Sequence, residues 1–196
     1  MVSRDNLQDV SSGDMAGILY VKVGFDGASS QSVYNQQYKQ TDLQSAIPKE
    51  ESLLQTSVVP LKLCIGGQDV GINHKPSSSH FCRPLSLKYK RETKEVSQEE
   101  EMILREQMNS LSHHDISLSL DNQGTALVSF RYNVEMTMLD GKAVNALTNT
   151  LSTQSCNVCG AKPSEMNNLK VIRKKVPNEK SLFLGLSSFH SWIKIF

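Results

Sequence analysis

Two aspartates in this 196-residue chain are the strongest candidates for metal binding. Asp26 follows the apolar run 17–25, Asp140 follows the strand-like run 127–139, and a glycine comes directly after each aspartate. If the two strands are neighbours in one sheet, the carboxylates converge at one edge and repel each other unless a divalent cation lies between them. Mg²⁺ and Mn²⁺ prefer such oxygen ligands, so the pair predicts a two-metal centre for phosphoryl transfer. The alternative is a pair of ordinary turns, since Asp-Gly commonly follows a strand.

A second candidate site is formed by Cys156 and Cys159, which are separated by two residues. Two thiolates at this spacing can bind one tetrahedral zinc ion, but a complete site needs two more ligands. The only histidine after the pair is His190. We therefore predict a zinc half-site, whose affinity depends on the assembled ligand set. A free thiol pair in a turn is the alternative.

The basic stretch 170–180 is the candidate nucleic-acid contact, and Arg173, Lys174 and Lys175 are its densest part. Local clustering of charge is what attracts a phosphate backbone, so these three residues are predicted to contact DNA. The net charge of +1 neither requires nor excludes such a partner. A second basic group at 88–91 stands close to acidic residues and is interpreted as an ordinary solvated face.

Composition limits the class of protein. Hydrophobic residues make up 38% of the chain, which is enough to form a buried core. No apolar run approaches the roughly 20 residues that are needed to cross a bilayer, so no membrane partner is expected. The four cysteines occur without a secretory leader, which predicts an intracellular, reducing environment in which they are free or bind metal.

The elements that must position these residues can be predicted from periodicity and turn signals. β-branched and aromatic residues predict a strand at 17–25 that stops at Asp26. A second strand at 58–65 ends at two glycines and returns at 70–73, which predicts a hairpin. Alternating apolar and polar residues predict a further strand at 85–90.

The second half of the chain predicts helices as well as strands. Ser97 and Glu100 have the spacing of a capping box, which predicts a helix over 98–111. A strand is predicted at 116–120 and a short helix at 143–150. The order of strands and helices predicts the α/β class, with a mixed sheet flanked by helices.

Four segments resemble a known family. Residues 22–34, around Asp26, are similar to the segment that holds the first catalytic aspartate of Transib-type DDE transposases, the superfamily that includes the catalytic subunit of the V(D)J recombinase. Residues 75–85 resemble that subunit's region of proline–asparagine–serine and cysteine–proline–leucine motifs. Residues 138–142 fall where the family's second aspartate falls. The cysteine pair lies just after it, as the family's zinc-binding cysteines do.

The resemblance covers about Val21 to the C-terminus and implies an RNase H-like fold in which Asp26 and Asp140 bind Mg²⁺ or Mn²⁺. Such enzymes nick one DNA strand and use the freed 3′-hydroxyl to attack the opposite strand, which leaves hairpins. It also implies transposon-end DNA as partner, a homodimer and a nuclear location. The family's third ligand is a glutamate far downstream, whereas the last acidic residue here is Glu179. We therefore expect an incomplete centre and a chain that is inactive alone.

These observations predict three regions: a polar lead-in at 1–14, a partial RNase H-like catalytic core at 15–150, and the cysteine knuckle with the start of a truncated helical, zinc-binding insertion at 151–196. The expected function is that of a fragment of a DDE-type transposase core. The alternative is a domesticated, non-catalytic protein that binds DNA or a partner. The third hypothesis is an unrelated α/β domain in which the Asp-Gly turns and the cysteine pair are coincidental.

Overall fold

The computed structural model describes residues 15–28, 52–120, 124–152 and 154–184, and the lead-in at 1–14 lies outside this part of the chain. Eleven strands and helices occur in the described residues, joined by loops and one 3₁₀ turn. In chain order they are β1 (Met15–Ala28), β2 (Leu53–Ile65), β3 (Gln68–Ile72), β4 (Arg83–Lys88), α1 (Lys94–Asn109), β5 (His114–Leu120), β6 (Gly124–Met136), α2 (Gly141–Thr148), α3 (Pro163–Met166), α4 (Leu169–Ile172) and α5 (Glu179–Phe183).

Six strands form one mixed sheet flanked by helices, which confirms the predicted α/β class. The strand order is β3-β2-β1-β6-β5, and β4 pairs with β2. The β2–β3 and β5–β6 pairs are antiparallel. Strands β1 and β6, which lead to the two predicted aspartates, are therefore neighbours.

Strand β1 is longer than predicted. The Asp-Gly pair was expected to end it at Asp26, but the strand continues to Ala28. Its side chains alternate, with Val23 and Phe25 buried and Asp26 exposed. Because β1 lies between β2 and β6, its backbone groups have hydrogen-bonding neighbours at both edges, and this pairing outweighs the local turn preference.

The predicted hairpin of β2 and β3 is confirmed. Gly66 and Gly67 form its turn with φ angles of 58° and 84°, a conformation that glycine adopts without a steric penalty. Lys62 pairs with Ile72, and the register shifts between Leu63 and Cys64.

Helix α1 begins earlier than its predicted start, and the capping-box interpretation is wrong. Its first residue is Lys94, and the hydroxyl of Thr93 accepts a hydrogen bond from the Val96 amide at 3.3 Å. Ser97 is buried inside the helix and donates its hydroxyl to the Thr93 carbonyl at 2.9 Å. Threonine is also a favoured N-cap residue. The Glu100 carboxylate bonds Thr56 and Lys88, and the Ser97 amide that a capping box would pair with it donates to the Thr93 carbonyl at 2.9 Å.

Two compact units make up the described chain, and β1, β2, β4, β6 and α1 contribute residues to both. The first contains the described residues of 15–23, 58–83 and 104–135. Its core is a cluster of buried apolar side chains from the sheet, with three partly buried ones packed against it. The cluster consists of Ile65, Val70, Val128 and Phe130, with Met15, Leu63 and Leu118 around it.

The second unit contains the described residues of 24–28, 52–57, 84–103 and 136–184, and it holds every candidate site residue that the structure describes. Its buried apolar residues come from the ends of three strands, from the loop between β6 and α2, from α2 itself and from two positions further along the chain. They include Phe25, Leu54, Met136, Leu139, Ala143 and Leu147. Among the helices of the described residues, none is long and apolar enough to span a membrane.

Candidate metal centre

Asp26 and Asp140 occupy different local structures. Asp26 is exposed near the end of β1. Asp140 is partly buried and is the N-cap of α2, where its Oδ1 accepts a hydrogen bond from the Ala143 amide at 2.6 Å. Strand β6 ends at Met136, so three residues outside the strand precede Asp140 instead of the predicted direct transition.

The segments that carry the two aspartates are in contact. Gly24 of β1 lies against Met138, so closely that a Cβ atom on Gly24 would overlap the Met138 carbonyl group. Asp26 and Asp140 each stand two residues beyond this contact in their own segments. The structure therefore brings together the two segments that carry Asp26 and Asp140.

Glu92 is a third acidic residue in this neighbourhood, and sequence reasoning missed it. It lies between β4 and α1, and a Cβ atom on Gly27 would stand 2.6 Å from the Glu92 Cβ atom. The Glu92 side chain is only 6% exposed, and its Oε2 forms an ion pair with Lys142 Nζ at 2.9 Å. Lys142 is the second residue of α2, so Glu92 connects the end of β1 with the start of α2.

The second carboxylate oxygen of Glu92 has unusual surroundings. Oε1 is buried and has no hydrogen-bond partner among the described residues. Buried polar atoms are nearly always paired, because leaving one unpaired costs about 1–3 kcal/mol. A cation bound beside Oε1 would satisfy it. No motif in the sequence marks Glu92, which follows a basic segment and is not part of an Asp-Gly pair.

The arrangement supplies carboxylate oxygens but not a complete set of metal ligands. Within the residues that the structure describes, no three His, Cys, Asp or Glu side chains form a group that could hold a metal ion. Asp26 is exposed, and the Oδ1 atom of Asp140 already accepts the capping hydrogen bond from the Ala143 amide. Ions held by few carboxylates keep water ligands, which is the pattern that Mg²⁺ favours over a complete set of protein ligands.

Cys156 and Cys159 lie on one closed loop. The Cys156 amide donates to the Ala161 carbonyl at 2.8 Å, and the Gly160 amide donates to the Cys156 carbonyl at 2.7 Å. Gly160 has a φ of 67°, which permits this tight turn. Both thiols are partly exposed and neither forms a disulfide. The described residues provide no third ligand, and His190 lies outside them.

The predicted DNA-contacting residues differ in their availability. Arg173 and Lys174 are exposed at the end of α4 and form no ion pair within the described chain. Lys175 instead pairs with Glu165 at 3.0 Å. A hydrogen bond from the Lys162 amide lowers the pKa of Glu165, and the Lys175 ammonium lowers it further. Two of the three predicted cations are therefore free to meet a phosphate.

No family model matches the chain, and no curated protein matches its sequence. The resemblance to Transib-type transposases therefore remains a prediction from the quoted segments.

Proposed function

We propose that this chain belongs to an RNase H-like DDE transposase core, in which Asp26 and Asp140 bind Mg²⁺ or Mn²⁺ for phosphoryl transfer on DNA. The observation that carries this proposal is the contact between Gly24 and Met138. This contact joins the segments that carry the two aspartates. Glu92, whose buried Oε1 has no partner among the described residues, lies against Gly27 of the same β1 segment. The sheet order supports it, because β1 and β6 are neighbours and lead to the two aspartates.

Each residue has a distinct role in this proposal. A pair of divalent ions supplies activation of the attacking hydroxyl and stabilisation of the leaving oxygen. Asp26 offers an exposed carboxylate that DNA can approach, whereas Asp140 is fixed by its cap bond to α2. Glu92 adds buried negative charge, and Lys142 holds one of its oxygens in place. The proposed reaction of such a core is nicking of one strand and hairpin formation by attack of the freed hydroxyl, whereas this chain is proposed to be inactive alone because no acidic residue follows Glu179.

The proposed partner is the DNA of transposon ends, with Arg173 and Lys174 as phosphate contacts. Both side chains are exposed and lie in the same unit as Asp26 and Asp140. A homodimer and a nuclear location are proposals that rest on the family resemblance alone.

Calcium should strengthen DNA binding if the aspartates bind cations. Without an ion their carboxylates repel phosphate, and a bound cation reverses the sign of that interaction. We expect duplex DNA to bind about tenfold more tightly with Ca²⁺ than with EDTA, a difference of about 1.4 kcal/mol. Asp26→Asn and Asp140→Asn should each remove most of this gain. Asparagine still caps a helix, so the second variant keeps α2 intact.

Fluorescence anisotropy of a labelled duplex at fixed ionic strength measures this effect. Glu99→Gln is the matched control, because Glu99 is an exposed acid on α1 and its loss should leave the calcium response unchanged. If Ca²⁺ does not change the affinity of the natural chain, or if both asparagine variants keep the full response, the metal proposal is wrong.

The second candidate function is DNA binding without catalysis, which the exposed Arg173 and Lys174 favour. In that case Arg173→Glu and Lys174→Glu weaken binding, as they do under the first proposal, but Ca²⁺ does not strengthen the binding of the natural chain. The same anisotropy titration therefore separates the two functions.

The cysteine loop is proposed as a zinc half-site. Co²⁺ is a spectroscopic substitute for Zn²⁺, and its thiolate complexes show charge-transfer absorption in the near ultraviolet. We expect this absorption from the natural chain and its loss in Cys156→Ser and in Cys159→Ser. Cys64→Ser is the control, because Cys64 lies on β2 and not on the loop. Equal absorption in all four proteins would exclude the loop as a thiolate site.

A further inference from the structure

Lys142 has an unusual position for a cation. It is the second residue of α2, and the N-terminal end of a helix carries a partial positive charge that favours anions over cations. The Lys142 side chain is 63% exposed, and its Nζ pairs with Glu92 Oε2 at 2.9 Å. Because the helix end repels the ammonium group, the attraction of Glu92 is what holds the group there.

The position of Glu92 is fixed by packing as well as by this ion pair. Its Cβ and Oε2 atoms lie 2.6 and 2.8 Å from the point that a Cβ atom on Gly27 would take. Its side chain is only 6% exposed, and a carboxylate removed from water needs a positive partner. Among the described residues, Oε2 bonds Lys142 and Oε1 has no partner. The ion pair therefore balances the charge of a side chain that packing already holds.

A divalent cation beside Glu92 Oε1 would stand within a few ångströms of the Lys142 ammonium group, since both oxygens belong to one carboxylate. Two positive groups this close repel each other, so each weakens the binding of the other. The long, mostly exposed Lys142 side chain can turn its ammonium group into water. Glu92 cannot follow it, because its side chain is buried.

We propose that Lys142 competes with the divalent cation for the Glu92 carboxylate and thereby sets the cation affinity of the metal centre. The ammonium group balances the buried carboxylate until Mg²⁺ or Mn²⁺ binds, and it then turns to solvent. This inference rests on the proposed function, since it requires that Asp26, Asp140 and Glu92 attract a cation. If Lys142 only positioned Glu92, removal of its charge would weaken cation binding instead of strengthening it.

Titration of the full chain with Mn²⁺, followed by the electron paramagnetic resonance signal of the free ion, tests this competition. Lys142→Gln keeps an N–H donor but removes the charge, and we expect it to bind Mn²⁺ about tenfold more tightly than the natural chain. Lys142→Arg keeps the charge and should bind Mn²⁺ as the natural chain does. Lys94→Gln is the matched control, because Lys94 is exposed in the first turn of α1, close to Glu92 in the sequence, and forms no ion pair within the described chain.

A second measurement uses the natural chain, so it does not depend on how the variants fold. Cation binding should release the Lys142 amine from Glu92. Acetylation of Lys142 by a water-soluble ester, followed by mass spectrometry, should therefore be faster with Ca²⁺ than with EDTA. The rate at Lys94 should not change.

The outcomes separate this inference from the proposed function. If neither the natural chain nor Lys142→Gln binds Mn²⁺, the metal centre is wrong and the inference fails with it. If both bind Mn²⁺ but Lys142→Gln binds it equally or more weakly, or if Lys94→Gln gains as much affinity, the competition is wrong while the metal centre stands. Acetylation of Lys142 that ignores Ca²⁺ in a chain that binds the ion would also overturn the competition.

Discussion

Replacing Gly24 by alanine is expected to lower the free energy of unfolding by about 3 kcal/mol, at the upper end of the usual cost of overpacking. The added Cβ atom would overlap the carbonyl carbon and oxygen of Met138, which are backbone atoms that cannot rotate away. The two segments would have to separate, so we also expect the calcium response of DNA binding to disappear. Urea unfolding followed by circular dichroism measures the change in free energy.

Gly141→Ala is the matched control for this prediction. Gly141 is the first residue of α2, and no atom lies within 4 Å of the position that a Cβ would take. Alanine there should raise the free energy of unfolding slightly, by about 0.5 kcal/mol, because it lowers the conformational entropy of the unfolded chain. If Gly24→Ala proves as stable as the control, the contact that joins the segments of Asp26 and Asp140 does not exist.

Glu100→Ala is expected to destabilise the protein by about 2 kcal/mol. Glu100 is buried, and its Oε1 accepts a hydrogen bond from the Thr56 hydroxyl at 2.6 Å while Oε2 pairs with Lys88. Removing the carboxylate leaves the buried Thr56 hydroxyl without its acceptor. The Lys88 side chain is about one-third exposed, so water can solvate its ammonium group when Glu100 is removed. The lost ion pair therefore lowers the free energy of unfolding by less than the loss of a fully buried pair would.

The neighbouring residue provides the control for Glu100. Glu99 pairs with Lys90, and both side chains are about half exposed. Glu99→Ala should therefore change the free energy of unfolding by no more than about 0.5 kcal/mol. Equal effects of the two substitutions in urea unfolding would contradict the buried network of Glu100.

Much of the sheet was predictable because its signals are local. The two glycines between β2 and β3 predicted the hairpin, alternation of apolar and polar residues predicted β4, and the strand-like run 127–139 predicted β6. The errors arose where tertiary contacts overrode local preference. Asp26 did not end β1, because β1 pairs at both edges, and Ser97 did not cap α1, because it is buried within that helix.

The candidate site was only partly predictable for the same reason. Asp26 and Asp140 stand out through their shared pattern, a strand followed by Asp-Gly. Glu92 has no such pattern, and its role follows only from the burial of its side chain against Gly27 and its ion pair with Lys142. A single sequence cannot reveal which loops approach the end of a strand.

The most direct test of the metal centre is the location of bound Mn²⁺ by paramagnetic broadening in amide NMR spectra of the full chain. Mn²⁺ at less than one equivalent should first erase the amide signals of Asp26, Glu92 and Asp140, and Asp26→Asn should abolish this selectivity. If broadening instead spreads over exposed acids such as Glu99 and Glu106 and spares the segments around the two aspartates, the proposed two-metal centre is contradicted.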